Sequence, residues 1–324
     1  MENLLDAWSE FLVGKRKKPD VQTFKQNLLE HVRMLHDDLV GHRYQHGAYY
    51  HFRITDPKPR DIHKATVRDR LLHHAIHRKL YPLFDQVFIA DSFSCRVEKG
   101  THKAMDRFRA FVRQVSKNDT RTCWALKLDI RKFFASIDHD LLLSILYQRI
   151  PDLELMSLFE RIIDSFHGNE HGKGIPLGNL TSQLFANVYL NALDQFVKHD
   201  LRCKYYIRYA DDFVVLSEDR DWLVKQLPKI DTFLWDMLRL LLHPKKIELR
   251  TFASGVDFLG WNHWPSHRTL RTVTKERMFR RLLQKPTEPV FGSYSGLLQH
   301  GNAQKIENEL KNTRWFFSRE MNLV

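Results

Sequence analysis

The stretch Tyr205-Tyr206-Ile207-Arg208-Tyr209-Ala210-Asp211-Asp212-Phe213-Val214-Val215-Leu216 places two adjacent acids between two runs of aromatic and β-branched residues. Runs of this kind are typical of buried strands, so the sequence predicts a hairpin with Asp211 and Asp212 at its tip. Buried carboxylates are costly unless a cation neutralises them, and Mg²⁺ prefers carboxylate oxygens as ligands. The alternative is an ordinary Asp-rich turn, which an Ala-Asp-Asp sequence alone does not exclude.

A third acid lies upstream, in Leu126-Lys127-Leu128-Asp129-Ile130-Arg131-Lys132-Phe133-Phe134-Ala135-Ser136-Ile137. Bulky apolar residues alternate with other residues from Trp124 to Asp129, which is the periodicity of a strand. We therefore expect Asp129 near the end of a strand. One acid that closes a strand and two that join two others could hold two metal ions about 3.5–4 Å apart. Such ions would activate a 3′-hydroxyl group and support a leaving pyrophosphate.

These two segments carry a family resemblance. Asp129 with Phe133-Phe134, and Tyr209-Ala210-Asp211-Asp212, resemble the catalytic blocks of reverse transcriptases. The resemblance runs from about residue 40 to about residue 300 and implies an α+β fold, a right-hand polymerase with an antiparallel palm sheet, mixed fingers and a helical thumb. It also implies that Asp129 and Asp211 bind two Mg²⁺ ions, for which Mn²⁺ could substitute, with the Ile130 carbonyl assisting and Asp212 supporting.

Composition agrees with a polyanionic partner. The chain has 324 residues, with 51 Lys and Arg against 39 Asp and Glu, which gives a net charge of +12. An excess of this size fits nucleic acid or another acidic surface. The three cysteines, Cys95, Cys123 and Cys203, form no CxxC pair, so they indicate neither a disulfide framework nor a zinc cluster. We see no signal peptide and no apolar run long enough for a bilayer, and we expect a cytoplasmic protein encoded by a bacterium or a phage.

The expected domains are residues 1–122 (an N-terminal helix and the fingers), 123–265 (the palm) and 266–324 (a basic helical thumb). In the fingers, helices are predicted from Asp20 to Leu39 and from about Arg68 to Leu83. Basic residues cluster between and within these segments, namely Lys58, Arg60, Lys64, Arg68 and Arg70. They predict a grip on triphosphate and template, with Arg60 and Arg70 on the nucleotide, although a solvated face would look the same. His73 and His77 lie one helical turn apart but have no further ligand nearby, so a structural or RNA-facing role is favoured over zinc.

The segment Gly174-Ile175-Pro176-Leu177-Gly178-Asn179-Leu180-Thr181-Ser182-Gln183 predicts a tight loop whose backbone can approach a ligand closely. Most reverse transcriptases have Gln-Gly, three residues and Ser-Pro here. Leu177 replaces that Gln and Gln183 replaces that Pro, a form that resembles the reverse transcriptases of diversity-generating retroelements. The resemblance places Leu177, Gly178 and Gln183 at the nucleotide, with Leu177 as the pocket floor. It places Phe134 against the sugar 2′ position.

Three downstream features complete the pattern. In His243-Pro244-Lys245-Lys246, the resemblance puts one lysine, for which we favour Lys246, near the triphosphate as a proton donor to pyrophosphate; an exposed lysine pair is the alternative. A short strand expected from Val256 to Trp261 is interrupted by Gly260, and its part Phe258-Leu259-Gly260-Trp261 resembles the primer grip. From Ser266 to Val324 there are 11 Lys and Arg against 5 Asp and Glu. Arg277, Arg280 and Arg281 recur there at helical spacing, and a second helix is expected to start near Asn302. Basic helices of this kind suit a thumb that grips a duplex backbone.

The sequence therefore predicts an RNA-directed DNA polymerase, a nucleotidyltransferase that makes error-prone, adenine-directed complementary DNA for diversity-generating retrohoming. A retron or group II intron-like reverse transcriptase is the alternative, and a non-enzymatic RNA-binding module is disfavoured by the three intact acids. The resemblance implies as partners a template RNA, the RNA/cDNA duplex, deoxynucleoside triphosphates and a small, basic, pentameric accessory variability protein. Because Leu177 lacks the amide of Gln, it would align the nucleotide less firmly. The resemblance implies that the resulting errors fall opposite template adenine, and the alternative is that Leu177 is only a core residue.

Overall fold

The structure is a computed structural model of the chain and describes residues 1–55 and 59–321. Its helices are α1 (Glu2–Phe11), α2 (Pro19–Gln26), α3 (Leu28–Val40), α4 (Val67–Asp85), α5 (Thr101–Val115), α6 (Phe133–Ser136), α7 (His139–Arg149), α8 (Leu153–Ile163), α9 (Leu180–Gln195), α10 (Arg220–Leu238), α11 (Thr272–Gln284), α12 (Glu288–Leu298) and α13 (Gln304–Met321). Its strands are β1 (Tyr50–Ile54), β2 (Arg60–Lys64), β3 (Trp124–Asp129), β4 (Tyr206–Tyr209), β5 (Asp212–Ser217), β6 (Glu248–Thr251), β7 (Val256–Phe258), β8 (Trp261–His263) and β9 (Arg268–Leu270).

The central feature is a four-stranded antiparallel sheet with the strand order β4-β5-β3-β6. The predicted hairpin is confirmed, because β4 and β5 pair with only Ala210 and Asp211 between them. The predicted strand ending at Asp129 is also confirmed as β3, whose last residue lies opposite Asp212. The palm-like sheet thus brings both acidic segments to one end of two neighbouring strands.

Strand alternation gives this sheet two buried faces. Leu126, Leu128 and Phe213 belong to the large core, to which α4, α7, α9 and α10 also contribute. Ala125 and Val214 face a second core built mainly with α5. Because side chains on a strand point alternately to opposite faces, the pattern that predicted the strands also assigns their residues to the two cores.

The N-terminal part differs from the expectation in two respects, the first being that α1 was not predicted from the sequence. The single helix predicted from Asp20 to Leu39 is wrong, because the chain breaks into α2 and α3 at Asn27 (φ −120°, ψ 41°). The Asn27 side chain makes no cap hydrogen bond there, and the low helix propensity of Asn makes it a common point of interruption. The second predicted helix is confirmed as α4, whose first turn is capped when the Thr66 hydroxyl accepts a hydrogen bond from the Asp69 amide at 3.2 Å.

The C-terminal part forms a third core, in which Trp261, Met278 and Leu310 are buried. The interrupted strand predicted from Val256 to Trp261 is a hairpin, because Leu259 (φ 52°) and Gly260 (φ 89°) form a turn between β7 and β8. The helices predicted around Arg277 and near Asn302 are confirmed as α11 and α13. α12 lies between them and was not predicted from the sequence.

The predicted domain limits remain a prediction, and the three-stranded sheet β7-β8-β9 spans the expected boundary at residue 265 because β9 follows it. The mixed helix and antiparallel-sheet content confirms the predicted α+β class. Within the described residues, no helix combines the length and the apolar character needed to cross a bilayer.

Candidate active site

Three carboxylates gather where β3 ends and the β4–β5 hairpin turns. Asp129 and Asp212 are directly opposed in the antiparallel register, so their side chains share one face of the sheet. Asp211 occupies the turn, and its carbonyl accepts a hydrogen bond from the Ile130 amide at 3.2 Å. The structure therefore brings the three acids predicted from two distant segments into one cluster.

The cluster carries uncompensated negative charge. Burial raises the pKa of Asp212 to about 7; the ammonium of Lys127 opposes this rise, while the charges of Asp129, Asp211 and Asp257 add to it. The pKa of Asp211 is also raised, first by burial and then by the charge of Asp129. Lys127 Nζ lies 3.8 Å from Asp212 Oδ2 and also 3.8 Å from Asp257 Oδ2, too far for a hydrogen bond.

These residues fit a divalent cation. The Oδ1 atom of Asp212 is buried and has no hydrogen-bond partner, which is costly unless another positive group is present. Carboxylate oxygens are the donors that hard cations select. Among residues 1–55 and 59–321, no group of three or more His, Cys, Asp or Glu side chains is already arranged as a ligand set. The chemistry of the cluster therefore suits a cation, and its ligand geometry would be completed on binding.

Lys246 lies at the edge of the cluster. Its Nζ donates a hydrogen bond to Asp129 Oδ1 at 2.7 Å. The short 3₁₀ turn Pro244–Lys246 is held against β3, since the His243 amide donates to the Asp129 carbonyl at 2.8 Å. Of the two adjacent lysines, Lys246 is the one whose ammonium contacts the acids.

The predicted nucleotide loop lies beside this cluster. The Ile175 amide donates to the Phe134 carbonyl at 2.9 Å, which joins the loop to α6 directly after Asp129. On its other side the loop meets β2, because the His63 amide donates to the Leu177 carbonyl at 3.3 Å. Gly178 has φ +112°, and a Cβ there would lie 3.2 Å from Ile62 Cγ2, so close approach to β2 favours Gly at this position.

The first turn of the following helix, α9, is tied to the fingers through buried histidines. His46 Nδ1 lies 2.7 Å from the Gly47 carbonyl, which can only accept, so Nδ1 must donate. In a neutral His46 the Nε2 atom then accepts from His73 Nε2, at 3.3 Å. The Thr181 hydroxyl consequently donates to His73 Nδ1 at 2.8 Å. Gln183 follows in the same turn and is half-buried.

The basic cluster of the fingers separates in the structure. Burial raises the pKa of Asp211, and the charge of Arg60 is among those that oppose this rise. Arg70 instead pairs with Asp20, its Nη2 2.5 Å from Oδ2, and its guanidinium covers the ring of Phe11. The predicted contact of Arg70 with a triphosphate would require that ion pair to open. Lys58 lies outside the described residues.

The other predicted contacts lie in the C-terminal part. Phe258 and Trp261 of the expected primer grip are buried, and Leu259 and Gly260 turn between them. On α11, whose Met278 and Leu282 pack inward, Arg280 and Arg281 are exposed and Arg277 is half-buried. The position of Lys127 near Asp212 and Asp257 was not predicted from the sequence. The alternation of side chains along β3 predicts which face of the sheet Lys127 occupies, but not which acids lie near it on that face.

Comparison with known proteins identifies the family of the chain. Residues 55–263 match the family described as reverse transcriptase (RNA-dependent DNA polymerase). Protein YkfC of Escherichia coli strain K12 is 23% identical over 296 residues, which cover 79% of this chain and 76% of that protein. The group II intron-encoded protein LtrA of Lactococcus lactis subsp. cremoris is 21% identical over 333 residues, covering 80% of this chain and 53% of LtrA.

Among solved structures, telomerase from Candida albicans in complex with a TWJ fragment of telomeric RNA superimposes with a TM-score of 0.54. The aligned parts are 11% identical and cover 86% of this chain and 56% of the telomerase chain. The likeness at this identity concerns the fold. The chain thus spans about half the length of LtrA and of this telomerase, and about three quarters of YkfC.

Proposed function

The chain belongs to the reverse transcriptase family, the RNA-directed DNA polymerases, and from that premise we propose that it copies a template RNA for diversity-generating retrohoming. The family match confirms the predicted enzyme class, and together with the telomerase likeness it confirms the predicted right-hand polymerase fold. The observation that carries the catalytic assignment is the opposition of Asp129 and Asp212 beside the Asp211 turn.

We assign the following roles at this site. A divalent cation held by Asp129 and Asp211 would supply Lewis-acid stabilisation of the negative charge that develops on phosphorus. Lys246, already 2.7 Å from Asp129 Oδ1, can turn its ammonium toward the leaving pyrophosphate and donate a proton. Arg60 would supply a further positive charge to the triphosphate, and its charge already opposes the rise that burial causes in the pKa of Asp211. Phe134 and Leu177, which lie on segments joined by a backbone hydrogen bond, would border the sugar and base.

Primer extension on an RNA template with the four deoxynucleoside triphosphates tests the catalytic assignment. We expect Asp129→Asn and Asp211→Asn to abolish synthesis and leave the fold intact, because each removes a ligand carboxylate. Asp212→Asn should retain more activity if that acid only supports the others. The matched control is Asp236→Asn, an exposed acid on α10. Extension by Asp211→Asn at the rate of the control variant would refute the assignment.

The retroelement subtype rests on Leu177. A Gln in its place could offer an amide to the sugar of the incoming nucleotide, whereas Leu supplies only packing. The lost hydrogen bond is worth about 0.5–1.5 kcal/mol, enough to weaken alignment against mismatches. We expect Leu177→Gln to lower errors opposite template adenine more than errors opposite other bases. Sequencing complementary DNA from both proteins on one template measures this, and an unchanged adenine error rate in an active variant would remove Leu177 from the mechanism.

A group II intron-like reverse transcriptase is the second candidate, favoured by the similarity to LtrA over 80% of this chain. The two candidates differ in partner and product. For an enzyme of a diversity-generating retroelement, we expect a pentameric accessory variability protein bound to the enzyme and adenine-directed errors in the complementary DNA. Co-expression with neighbouring genes, followed by purification and complementary-DNA sequencing, separates them, since an accurate enzyme that copurifies with a spliced intron RNA would favour the second.

A further inference from the structure

The turn that presents Asp211 is held from inside the protein. Ala210 has a left-handed backbone (φ 54°), which is unfavourable for a residue with a Cβ atom. Two residues upstream, Arg208 turns its side chain back along the hairpin, and its Nη1 donates to the Ala210 carbonyl at 3.1 Å. The next carbonyl, that of Asp211, accepts from the Ile130 amide at 3.2 Å. Both peptide planes of Asp211 are therefore fixed, and its side-chain torsions remain as its main freedom.

Arg208 is itself fully constrained. Its Nε and Nη2 donate to the two carboxylate oxygens of Asp194 at 2.7 and 2.6 Å, and neither side chain is exposed to solvent. Nη2 also donates to Ser92 Oγ at 3.2 Å, and Nη1 to Asn187 Oδ1 at 3.3 Å. With the Ala210 carbonyl, these acceptors match all five N–H groups of the guanidinium.

Asp194 belongs to α9, the helix that begins directly after the Leu177 loop. A charged pair of this kind, once buried, stays in place because either partner alone would be an unpaired buried charge. Through Arg208, α9 therefore links the loop at the nucleotide pocket to the turn that carries Asp211. Tyr206 adds one further bond to the pair, from its hydroxyl to Asp194 Oδ1 at 2.7 Å.

We infer that Arg208 and Asp194 are positioning residues that fix the Ala210–Asp211 peptide and so aim the Asp211 carboxylate. The inference rests on the proposed function of Asp211, because positioning matters only if that carboxylate acts. If the pair were purely structural, its replacement by apolar residues would leave DNA synthesis unchanged. Well-packed apolar residues of similar volume can replace many buried ion pairs without loss of stability.

The deciding variant replaces the pair by apolar residues, as Arg208→Met, Asp194→Leu and Tyr206→Phe combined. We expect this protein to fold, as judged by circular dichroism and thermal unfolding, yet to extend a primer about 100-fold more slowly, because the Ala210 carbonyl loses its donor and the carboxylate shifts. The rate constant for incorporation should fall far more than the KM for the nucleotide rises. Tyr206→Phe alone is the matched control, since it removes a bond to Asp194 and leaves Ala210 untouched; it should extend like wild type.

A second readout does not depend on activity. Fe²⁺ with ascorbate and peroxide cleaves a protein backbone near a bound ion, and we expect wild type to be cut near residues 129 and 211 and the triple variant to lose or displace the cut near 211. A folded triple variant with the wild-type rate and cutting pattern would overturn the inference. If the triple variant fails to fold, Arg208→Lys carries the test: it keeps a positive charge for Asp194 but lacks the planar fork that joins Asp194 to the Ala210 carbonyl, and a wild-type rate would likewise refute the positioning role.

Failure of the proposed function would look different. In that case wild type itself would not extend a primer, whatever the state of Arg208 and Asp194. The cutting patterns of wild type and the triple variant would then still show whether the pair directs a cation to the turn.

Discussion

At the scale of single residues, Asp129 and Asp212 differ in how closely a lysine ammonium approaches each carboxylate. Asp129 accepts a hydrogen bond from Lys246 at 2.7 Å, whereas Asp212 has the Lys127 ammonium only at 3.8 Å. Lys246 therefore occupies a position at Asp129 that a cation would contest. Since a like charge disfavours a nearby cation, the lysine must swing away when the site is loaded.

This arrangement predicts two opposite effects for Lys246→Met. Nucleotide incorporation should slow by about 100-fold, the lower end of what a general acid contributes. The Mg²⁺ concentration for half-maximal rate should fall, because Asp129 no longer pairs with an ammonium. Single-turnover extension across a Mg²⁺ titration measures both. Lys245→Met is the control, since Lys245 is exposed and adjacent. A rate like that of the control variant would exclude Lys246 as the proton donor.

Buried His73 predicts a dependence of stability on pH. Burial is the main cause that lowers the pKa of His73 to about 3, against about 6.5 in an unfolded chain. The unfolded chain therefore binds the extra proton between these values, so the free energy of unfolding decreases as pH falls below 6.5. At pH 5 this group alone contributes a loss of about 2 kcal/mol.

Urea unfolding of His73→Gln at pH 7, 6 and 5 tests this. The variant should be less stable at pH 7, because it disturbs the bonds to His46 and Thr181, yet it should lose less stability on acidification than wild type. His199→Gln, at an exposed position, should keep the wild-type slope. Equal slopes for wild type and His73→Gln would show that His73 does not titrate as its burial implies.

At the scale of elements, the loop before α9 depends on two glycines in different surroundings. Gly174 (φ +95°) has no room for a side chain, since a Cβ would lie 3.0 Å from the Gly168 amide nitrogen and 3.3 Å from the Ala135 carbonyl oxygen. Gly172 (φ +73°) faces open space. Both positions need a left-handed backbone, so only the crowding differs between them.

We therefore expect Gly172→Ala to cost about 1 kcal/mol of stability and Gly174→Ala to cost about 1–3 kcal/mol more. The second substitution must also push the chain that leads to Leu177, so the KM for the nucleotide should rise with it. Chemical denaturation and steady-state extension provide the two measurements. Equal effects of both substitutions would mean that the contact with Gly168 relaxes freely.

Helices and strands with a regular pattern of apolar residues could be predicted from the sequence, and breaks and turns without such a pattern could not. β3 and β5 could be predicted because both of their faces are buried, which gives runs of strand-forming residues with the acids at their ends. The break at Asn27 and the turn at Leu259 are backbone choices that periodicity does not record. α12 contains Pro289, Gly292 and Gly296, which weaken any helical prediction.

The site shows the same division. Spacing alone suggested that Asp129 would meet Asp211 and Asp212, because strand ends of one sheet come together. It did not indicate that Asp20 forms an ion pair with Arg70, or Asp194 with Arg208, since each pair joins residues from separate elements. The roles of Arg60, Leu177 and the thumb arginines remain predictions.

At the scale of the whole molecule, charge is unevenly distributed. The segment from Ser266 to Val324 has 11 Lys and Arg and 5 Asp and Glu, so it supplies +6 of the net +12 in under a fifth of the chain. Its own core, around Trp261 and Met278, anchors α11 and leaves Arg280 and Arg281 exposed on it. A separately packed basic unit suits a grip on a nucleic-acid backbone.

If the arginines of α11 contact that backbone, they must contribute to the salt dependence of the affinity for an RNA/DNA duplex. Each phosphate contact contributes about 0.7–0.9 to the slope of log affinity against log salt concentration. Neutralising Arg277, Arg280 and Arg281 to Gln should therefore weaken binding and reduce the slope by up to about 2–3 units. Fluorescence anisotropy between about 50 and 200 mM KCl measures the change.

The control is a charge-matched variant outside the C-terminal unit, in which Arg202, Lys225 and Lys229, all exposed, are changed to Gln. It lowers the net charge by the same three units, so it reproduces any general electrostatic effect without touching α11. A slope reduced equally in both variants would trace the salt dependence to net charge. An unchanged slope in the α11 variant would place its arginines against protein or solvent, and the duplex grip would have to lie elsewhere on the molecule.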